Sequence, residues 1–181
     1  MKKIEIKNIY GDVIFKHEEE NNTIKTTVEA AVASGVSLAW ANLANADLIG
    51  ADLEGANIYG AKLAGAKLAG AKLANADLAW ANLAWANLEG ADLDMANLSD
   101  ADLRKANFSM TSLYRANLEG ADLSFADLSF ADLYRANLTR ANISDAGLYN
   151  TNLKKSTLDT VHLNVTKNIP FIPNKEDAIN C

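Results

Sequence analysis

From residue 36 to residue 165 the chain repeats one short pattern of apolar and polar positions without a skip or an insertion: 26 five-residue units of the form A-[N/D]-L-x-x. The central apolar residue is Leu in 23 of them, with Ile58, Phe108 and Ile143 in the others. Two residues earlier stands Ala in 21 units, and between the two stands Asn in ten and Asp in eight. This period decides the element type. On an α-helix each step of five advances about 140° beyond a full turn, so the leucines would scatter over every face. On a flat strand side chains alternate with period two, and successive leucines would point to opposite sides. One corner per unit removes both conflicts. Ala and Leu then share the inner side, the Asn or Asp between them points out, and the last two residues carry the bend. Four right-angle corners close a square coil of 20 residues, and stacked coils bury a continuous Ala/Leu column. The units make about 6.5 coils and, at strand spacing, a rod roughly 31 Å long. The pattern predicts an all-β solenoid in which each coil touches only its neighbours.

The outward Asn and Asp have a structural role in such a chain. Their short side chains can hydrogen-bond the local backbone in Asx-type turns, and stacked Asn can ladder along the rod. Asp122, Asp127 and Asp132 are close in sequence but fall on three different sides of the coil, so they form no carboxylate pair.

A β-solenoid has open strand edges at both ends, which template aggregation unless covered. Residues 3–15 read as a hairpin, with Ile4, Ile6 and Ile9 on one arm, Gly11-Asp12 at the turn, and Val13, Ile14 and Phe15 on the other. Residues 22–34 read as a helix with Asn22 as N-cap, an apolar stripe of Ile24, Val28, Ala31 and Val32, and Gly35 to end it. The expected organisation is a cap over 1–35, the solenoid over 36–165, and a C-terminal plug over 166–181, where Pro170 and Pro173 block strand continuation and Phe171 and Ile172 are free to fold over the last coil.

The repeated units resemble the pentapeptide-repeat family, over 130 of the 181 residues. The resemblance implies a right-handed quadrilateral β-helix with the central and Ala positions inside. One branch of the family resembles B-form DNA in size and charge and inhibits DNA gyrase or topoisomerase IV, so a DNA-mimic inhibitor or protector of those enzymes is the alternative function that the resemblance implies. That branch dimerises end to end through its C-terminal region. The short tail here departs from that pattern, and a monomer is expected over a dimer. The order of hairpin, helix and repeats also resembles the front end of phage and prophage members.

Charge changes the picture of the partner. The whole chain carries −6, and residues 36–165 hold 15 acidic against 10 basic residues, net −5. A surface of that sign is not expected to bind nucleic acid directly, since phosphate binding needs basic stripes. Mimicry of a duplex is also diluted, because DNA of this length carries roughly 18 charges. No apolar run approaches the length of a membrane span, the N-terminus has no apolar signal region, and Cys181 is single, so a cytoplasmic location is expected.

Three surface features stand out when residues 20 apart are stacked. Lys62, Lys67 and Lys72 replace Asn/Asp in three consecutive units, with Lys67 beside Asp47 and Lys72 between Asp52 and Asp92, as in an inter-coil charge ladder. Trp40, Trp80, Trp85, Phe125 and Phe130 all occupy the last position of a unit, at outward corners, with Gly60 and Gly65 placed to make room for rings. They either cover neighbouring backbone or form a protein-contact surface. Tyr114 stacks toward Tyr134, and Arg115 toward Arg135 and Lys155, which is either a solvated face or a site for an acidic partner. Like charges at that spacing need support, from nearby Asp132 or from a bound anion. No motif points to catalysis, a metal or a cofactor: His17 and His162 are far apart and the glycines recur as corner residues rather than as a phosphate loop. The expected function is a non-catalytic protein-interaction scaffold whose partner is another protein.

Overall fold

In the computed structural model, which describes residues 1–162, the repeats form a coil of 20-residue turns. Parallel bridges link Asn42 to Lys62, Asp47 to Lys67, Asp52 to Lys72 and Asn57 to Asp77, and the same step of 20 continues to His162. Each coil therefore has four sides. Side 1 passes through Leu38, side 2 through Leu43, side 3 through Leu48 and side 4 through Leu53, and each ends in the corner of the same number. The expected plug over 166–181 lies outside the described residues.

Backbone hydrogen bonds explain why the period is five. The central N–H donates to the next coil (Leu43 N to Lys62 O, 2.8 Å), as does the corner N–H (Asn45 N to Ala64 O, 2.9 Å). The polar position donates back (Lys62 N to Ala41 O, 2.9 Å), and a tight turn closes each corner (Ala46 N to Leu43 O, 3.0 Å). The corner residue has positive φ throughout, whether it is Gly60 (φ 62), Asn75 (φ 61) or Trp80 (φ 61), which is the third position of a type II turn. Inside, Leu and Ala from Leu38 to Ala141 are almost all within a few per cent of complete burial, and Phe108 takes the place of a leucine with no exposure.

The outward Asn and Asp behave as the pattern predicts. Oδ1 of Asn87 accepts the N–H of Glu89 (3.0 Å), Asp122 that of Ser124 (3.0 Å), and Asp127 that of Ser129 (2.9 Å). On side 1 a ladder runs along the rod: Nδ2 of Asn97 donates to Asp77 (3.0 Å), that of Asn117 to Asn97 (3.2 Å), and that of Asn137 to Asn117 (3.0 Å).

Ahead of the repeats, β1 (Lys2–Lys7) and β2 (Val13–Glu19) pair antiparallel with an irregularity at Ile6/Lys7, and α1 spans Ile24–Ala33. The first coil has no preceding coil, and these elements supply its missing partners. Lys7 O accepts the N–H of Asn42 (2.8 Å), and Ile9 N donates to Trp40 O (2.9 Å). From α1, Lys25 Nζ donates to Ile49 O (2.9 Å) and Glu29 accepts the N–H of Asp52 (2.9 Å). Ile6, Val28 and Ala31 join the apolar core.

The helix start differs from expectation. Thr23, not Asn22, is the N-cap, in a reciprocal box with Thr26. Asn22 is buried instead, accepting from the hydroxyls of Thr26 and Thr27 (both 2.8 Å) and donating to His17 O (2.7 Å), so it ties α1 to β2. Gly35 (φ 68) ends the helix as expected: its N–H donates to Val32 O and that of Val36 to Ala31 O, each 2.9 Å, which is a Schellman closure.

Candidate functional site

A side chain at a corner has only two places to go, outward or over the corner of the next coil, because every inner position is filled. Glycine and asparagine tolerate the positive φ that the corner imposes; bulky residues do so at a cost of about 1–2 kcal/mol each. The aromatic corners, with φ from 60 to 64, are therefore not chosen for local backbone comfort.

The structure separates the five. Trp40 (40% exposed) lies over Gly60, where an added Cβ would come within 2.6 Å of the indole, and its ring meets Tyr59 edge-on at 5.5 Å. It covers backbone. Trp80 and Trp85, at corners 1 and 2 of one coil, are 59% and 66% exposed, and Phe125 and Phe130, at corners 2 and 3 of a later coil, are 57% and 53% exposed. Gly65 does not make room for Trp85, as expected from the sequence; the atom nearest its vacant Cβ position is Oδ1 of Asn45, 2.5 Å away. Trp40 over Gly60 and Asn45 over Gly65 show the direction of lean: a corner side chain reaches toward the following coil.

That lean brings Trp85, Lys105 and Phe125 together on corner 2. Lys105 Nζ stands 4.3 Å from the Trp85 ring centre and 5.9 Å from that of Phe125. Beside them, Ala84, Arg104, Asp122 and Ser124 complete an open groove of about 370 Å³. Arg104 is held there by both oxygens of Asp102 (2.7 Å each), which raises its pKa and lowers that of Asp102. On corner 3, Phe130 meets Tyr149 edge-on at 5.3 Å, and Met110, one coil earlier, is 62% exposed. Side 3 of these coils thus has an apolar ridge along each edge. Lys105, Met110 and Tyr149 escaped the sequence reading, although the step of 20 aligns Lys105 between Trp85 and Phe125. Trp80 makes no ring–ring or cation–π contact among the described residues.

On side 4, Tyr114 and Tyr134 stack at 5.9 Å with their rings 2° from parallel. Arg115 lies 5.7 Å from the Tyr114 ring centre, and Arg135 and Lys155 lie 5.4 and 5.7 Å from that of Tyr134. The rings, rather than Asp132, support these cations: Asp132 Oδ1 is taken by the N–H of Tyr134 (3.0 Å) and the amide of Asn152 (2.7 Å). A hydrogen bond from Lys155, then its charge and that of Arg135, hold the Tyr134 phenol below the ordinary tyrosine pKa.

Two of the three lysines in the run pair across coils as expected, Lys67 3.6 Å from Asp47 and Lys72 3.1 Å from Asp52, while Lys62 makes no ion pair among the described residues. Among the described residues no group of three or more His, Cys, Asp or Glu is placed to hold a metal ion. No described helix is long and apolar enough to cross a membrane.

Compared with known families, the chain matches the pentapeptide repeats in eight copies, over residues 34–68, 61–84, 81–120 and 121–159. The chain belongs to the pentapeptide repeat family. Among solved pentapeptide repeat structures it is similar to Rfr23 from the cyanobacterium Cyanothece 51142, at 36% identity over 49% of this chain and 60% of that one, with a TM-score of 0.26. This pentapeptide repeat chain thus spans three-fifths of the Rfr23 length. It is also similar to HetL from Nostoc sp. strain PCC 7120, a pentapeptide repeat protein involved in heterocyst differentiation regulation, at 32% identity over 66% and 71%, TM-score 0.21. A third likeness is to full-length QnrB1, a plasmid-mediated fluoroquinolone resistance protein, at 20% identity over 68% and 79%, TM-score 0.28. No curated protein matches the chain. Membership of the pentapeptide repeat family implies a right-handed β-helix, in keeping with the four-sided coil.

Proposed function

We propose that this pentapeptide repeat protein is a non-catalytic scaffold that binds another protein through its aromatic corners, and that it works as a single rigid rod in the cytoplasm. The observation that carries this reading is the exposure of Trp80, Trp85, Phe125 and Phe130 at positive φ. Each ring is more than half exposed, at a backbone position where glycine is less strained, so local folding does not account for it. Aromatic side chains of this kind anchor protein interfaces, because they bring large apolar area with few rotors to fix. The rigid ladder between coils keeps the four rings in a constant relative position, which lowers the ordering cost of binding.

The test is affinity capture with the wild-type protein and with a Trp80→Ser/Trp85→Ser/Phe125→Ser/Phe130→Ser variant of matched folding. The scaffold reading expects a discrete partner held by the first and lost from the second. Equal capture by both would sink the role of the corners.

DNA mimicry of the gyrase substrate is the second reading; the negative sign of the charge favours it, but not its size, since the rod carries −5 where DNA of its length carries roughly 18. Against it, Asp47, Asp52, Asp102, Asp122 and Glu119 each sit within 4 Å of a lysine or arginine, which breaks up the negative potential a mimic needs. A gyrase supercoiling assay separates the readings. Salt-sensitive inhibition by the folded protein at micromolar concentration would favour mimicry.

A further inference from the structure

We propose that the Tyr114–Tyr134 stack on side 4, with Arg115, Arg135 and Lys155 along corner 4, is a docking stripe for an acidic segment of a partner protein. The proposal rests on the scaffold reading but uses none of the tryptophan or phenylalanine corners. Its starting point is a contrast within the rod. Four of the rod's ten cations are neutralised by carboxylates of the same or a neighbouring coil: Lys67 by Asp47, Lys72 by Asp52, Arg104 by Asp102 at 2.7 Å, and Arg140 by Glu119 at 2.7 Å. Lys62, Lys105 and Lys154 make no ion pair among the described residues, but none of them stacks on another cation one coil away. Among the described residues Arg115, Arg135 and Lys155 make no ion pair, yet they stand on three successive coils of one corner.

Strand spacing puts their backbones about 4.8 Å apart per coil, close enough for mutual repulsion unless an anion completes the set. Carboxylates close by in position, Asp132 and Asp94, hold neutral donors through Oδ1 and make no ion pair with these cations. Asp132 serves Tyr134 N and Asn152, and Asp94 accepts the N–H of Tyr114 and the hydroxyl of Ser112. Tyrosine rings fix the cations in place without cancelling their charge, which is the arrangement that binds an anion with little ordering cost.

Two observations favour an acidic peptide over nucleic acid. The ring faces are turned to each other and to the cations, leaving no free platform for base stacking. The solenoid as a whole carries net −5, which repels a phosphate backbone charged along its entire length. A short acidic segment meets only the stripe, where the charge is positive.

The test is fluorescence anisotropy with the full-length protein and labelled deca-glutamate, with deca-glutamine and an oligothymidine of equal length as comparison probes. Deca-glutamate is expected to bind at low salt, to weaken at least tenfold as sodium chloride rises from about 50 to about 300 mM, and to leave deca-glutamine unbound. Arg115→Gln/Arg135→Gln is expected to weaken it at least tenfold further, whereas Lys67→Gln/Lys72→Gln leaves it unchanged. Circular dichroism confirms that both variants are folded. Absence of deca-glutamate binding, equal binding by the arginine variant, or tighter binding of oligothymidine would each overturn the proposal. Loss of peptide binding alone leaves capture through the aromatic corners intact, so the two readings fail separately.

Discussion

The indole of Trp40 rests on Gly60 so closely that a Cβ at Gly60 would lie 2.6 Å from Cε3 of the ring. The contact joins two corners one coil apart, beside the junction where Ile9 N donates to Trp40 O. Gly60→Ala adds both a clash and the strain of a side chain at φ 62, and is expected to cost about 2–4 kcal/mol. Gly70→Ala meets nothing within 4 Å at nearly the same φ of 63, so it carries only the conformational cost of about 1–2 kcal/mol. Urea denaturation of the two variants checks this; equal losses would show that the ring is not seated on Gly60.

The solenoid should also be sensitive to position along its axis. Leu88 has no exposure and is sandwiched between complete coils, and Leu88→Ala is expected to cost about 2–5 kcal/mol. Leu153 is 7% exposed, and the neighbouring Leu148 and Leu158 are only partly buried. Leu153→Ala should therefore cost clearly less, because an end coil can loosen without disturbing the middle. Hydrogen exchange on the two variants is the readout: global loss of protection in the first, loss confined to the C-terminal coils in the second.

Acid should weaken the fold through the ion-paired carboxylates. Asp52 is held below the ordinary aspartate pKa mainly by the hydrogen bond from Lys72, and Asp102 mainly by that from Arg104. A carboxylate whose folded-state pKa is depressed contributes stability above its unfolded pKa, near 3.9 for Asp, and loses it as pH falls through the folded value. Stability should thus be flat from neutrality to about pH 5 and fall below about pH 4. Arg104→Gln should shallow that acid limb by lowering the plateau above it, because the contribution that the Arg104–Asp102 pair makes near neutrality is absent while stability below the limb is unchanged. An acid limb of identical slope in the variant would contradict the role given to the Arg104–Asp102 pair.

Trp80 and Trp85 separate covering from contact. Replacing both by Ser is expected to cost under about 1 kcal/mol, since both rings are mostly exposed and serine keeps the backbone in the same turn. Trp40→Ser should cost more than the pair together, through the lost packing on Gly60 and Tyr59. Thermal melts of the two variants decide it.

Much of this was legible in the sequence because period five admits one solution: the inner Ala and Leu, the outward Asn and Asp, and the stacking step of 20 all follow from it. The pairings Lys72–Asp52 and Tyr114–Tyr134 follow from the step alone. What did not follow is the direction in which a corner side chain leans. That depends on backbone handedness at a positive-φ residue, and it is why Gly65, which the step of 20 places one coil before Trp85, accommodates Asn45 instead of a ring. The support of Arg115 and Arg135 by rings rather than by Asp132 was likewise hidden, because Asp132 satisfies its own Asx turn first. At α1, Asn22 and Thr23 are both good caps by type, and the burial of Asn22 against His17 O and Thr27 decides between them.

The central claim, that the exposed aromatic corners hold a partner protein, is tested most directly by site-specific photocrosslinking in cells. A benzophenone side chain replaces Trp80, Trp85 or Phe125 in turn, with Tyr10 in the turn between β1 and β2 (77% exposed) as the comparison position. The account predicts one discrete adduct of the same mass at the three aromatic corners and none at Tyr10. No adduct at those corners, or the same adduct at Tyr10, would contradict it.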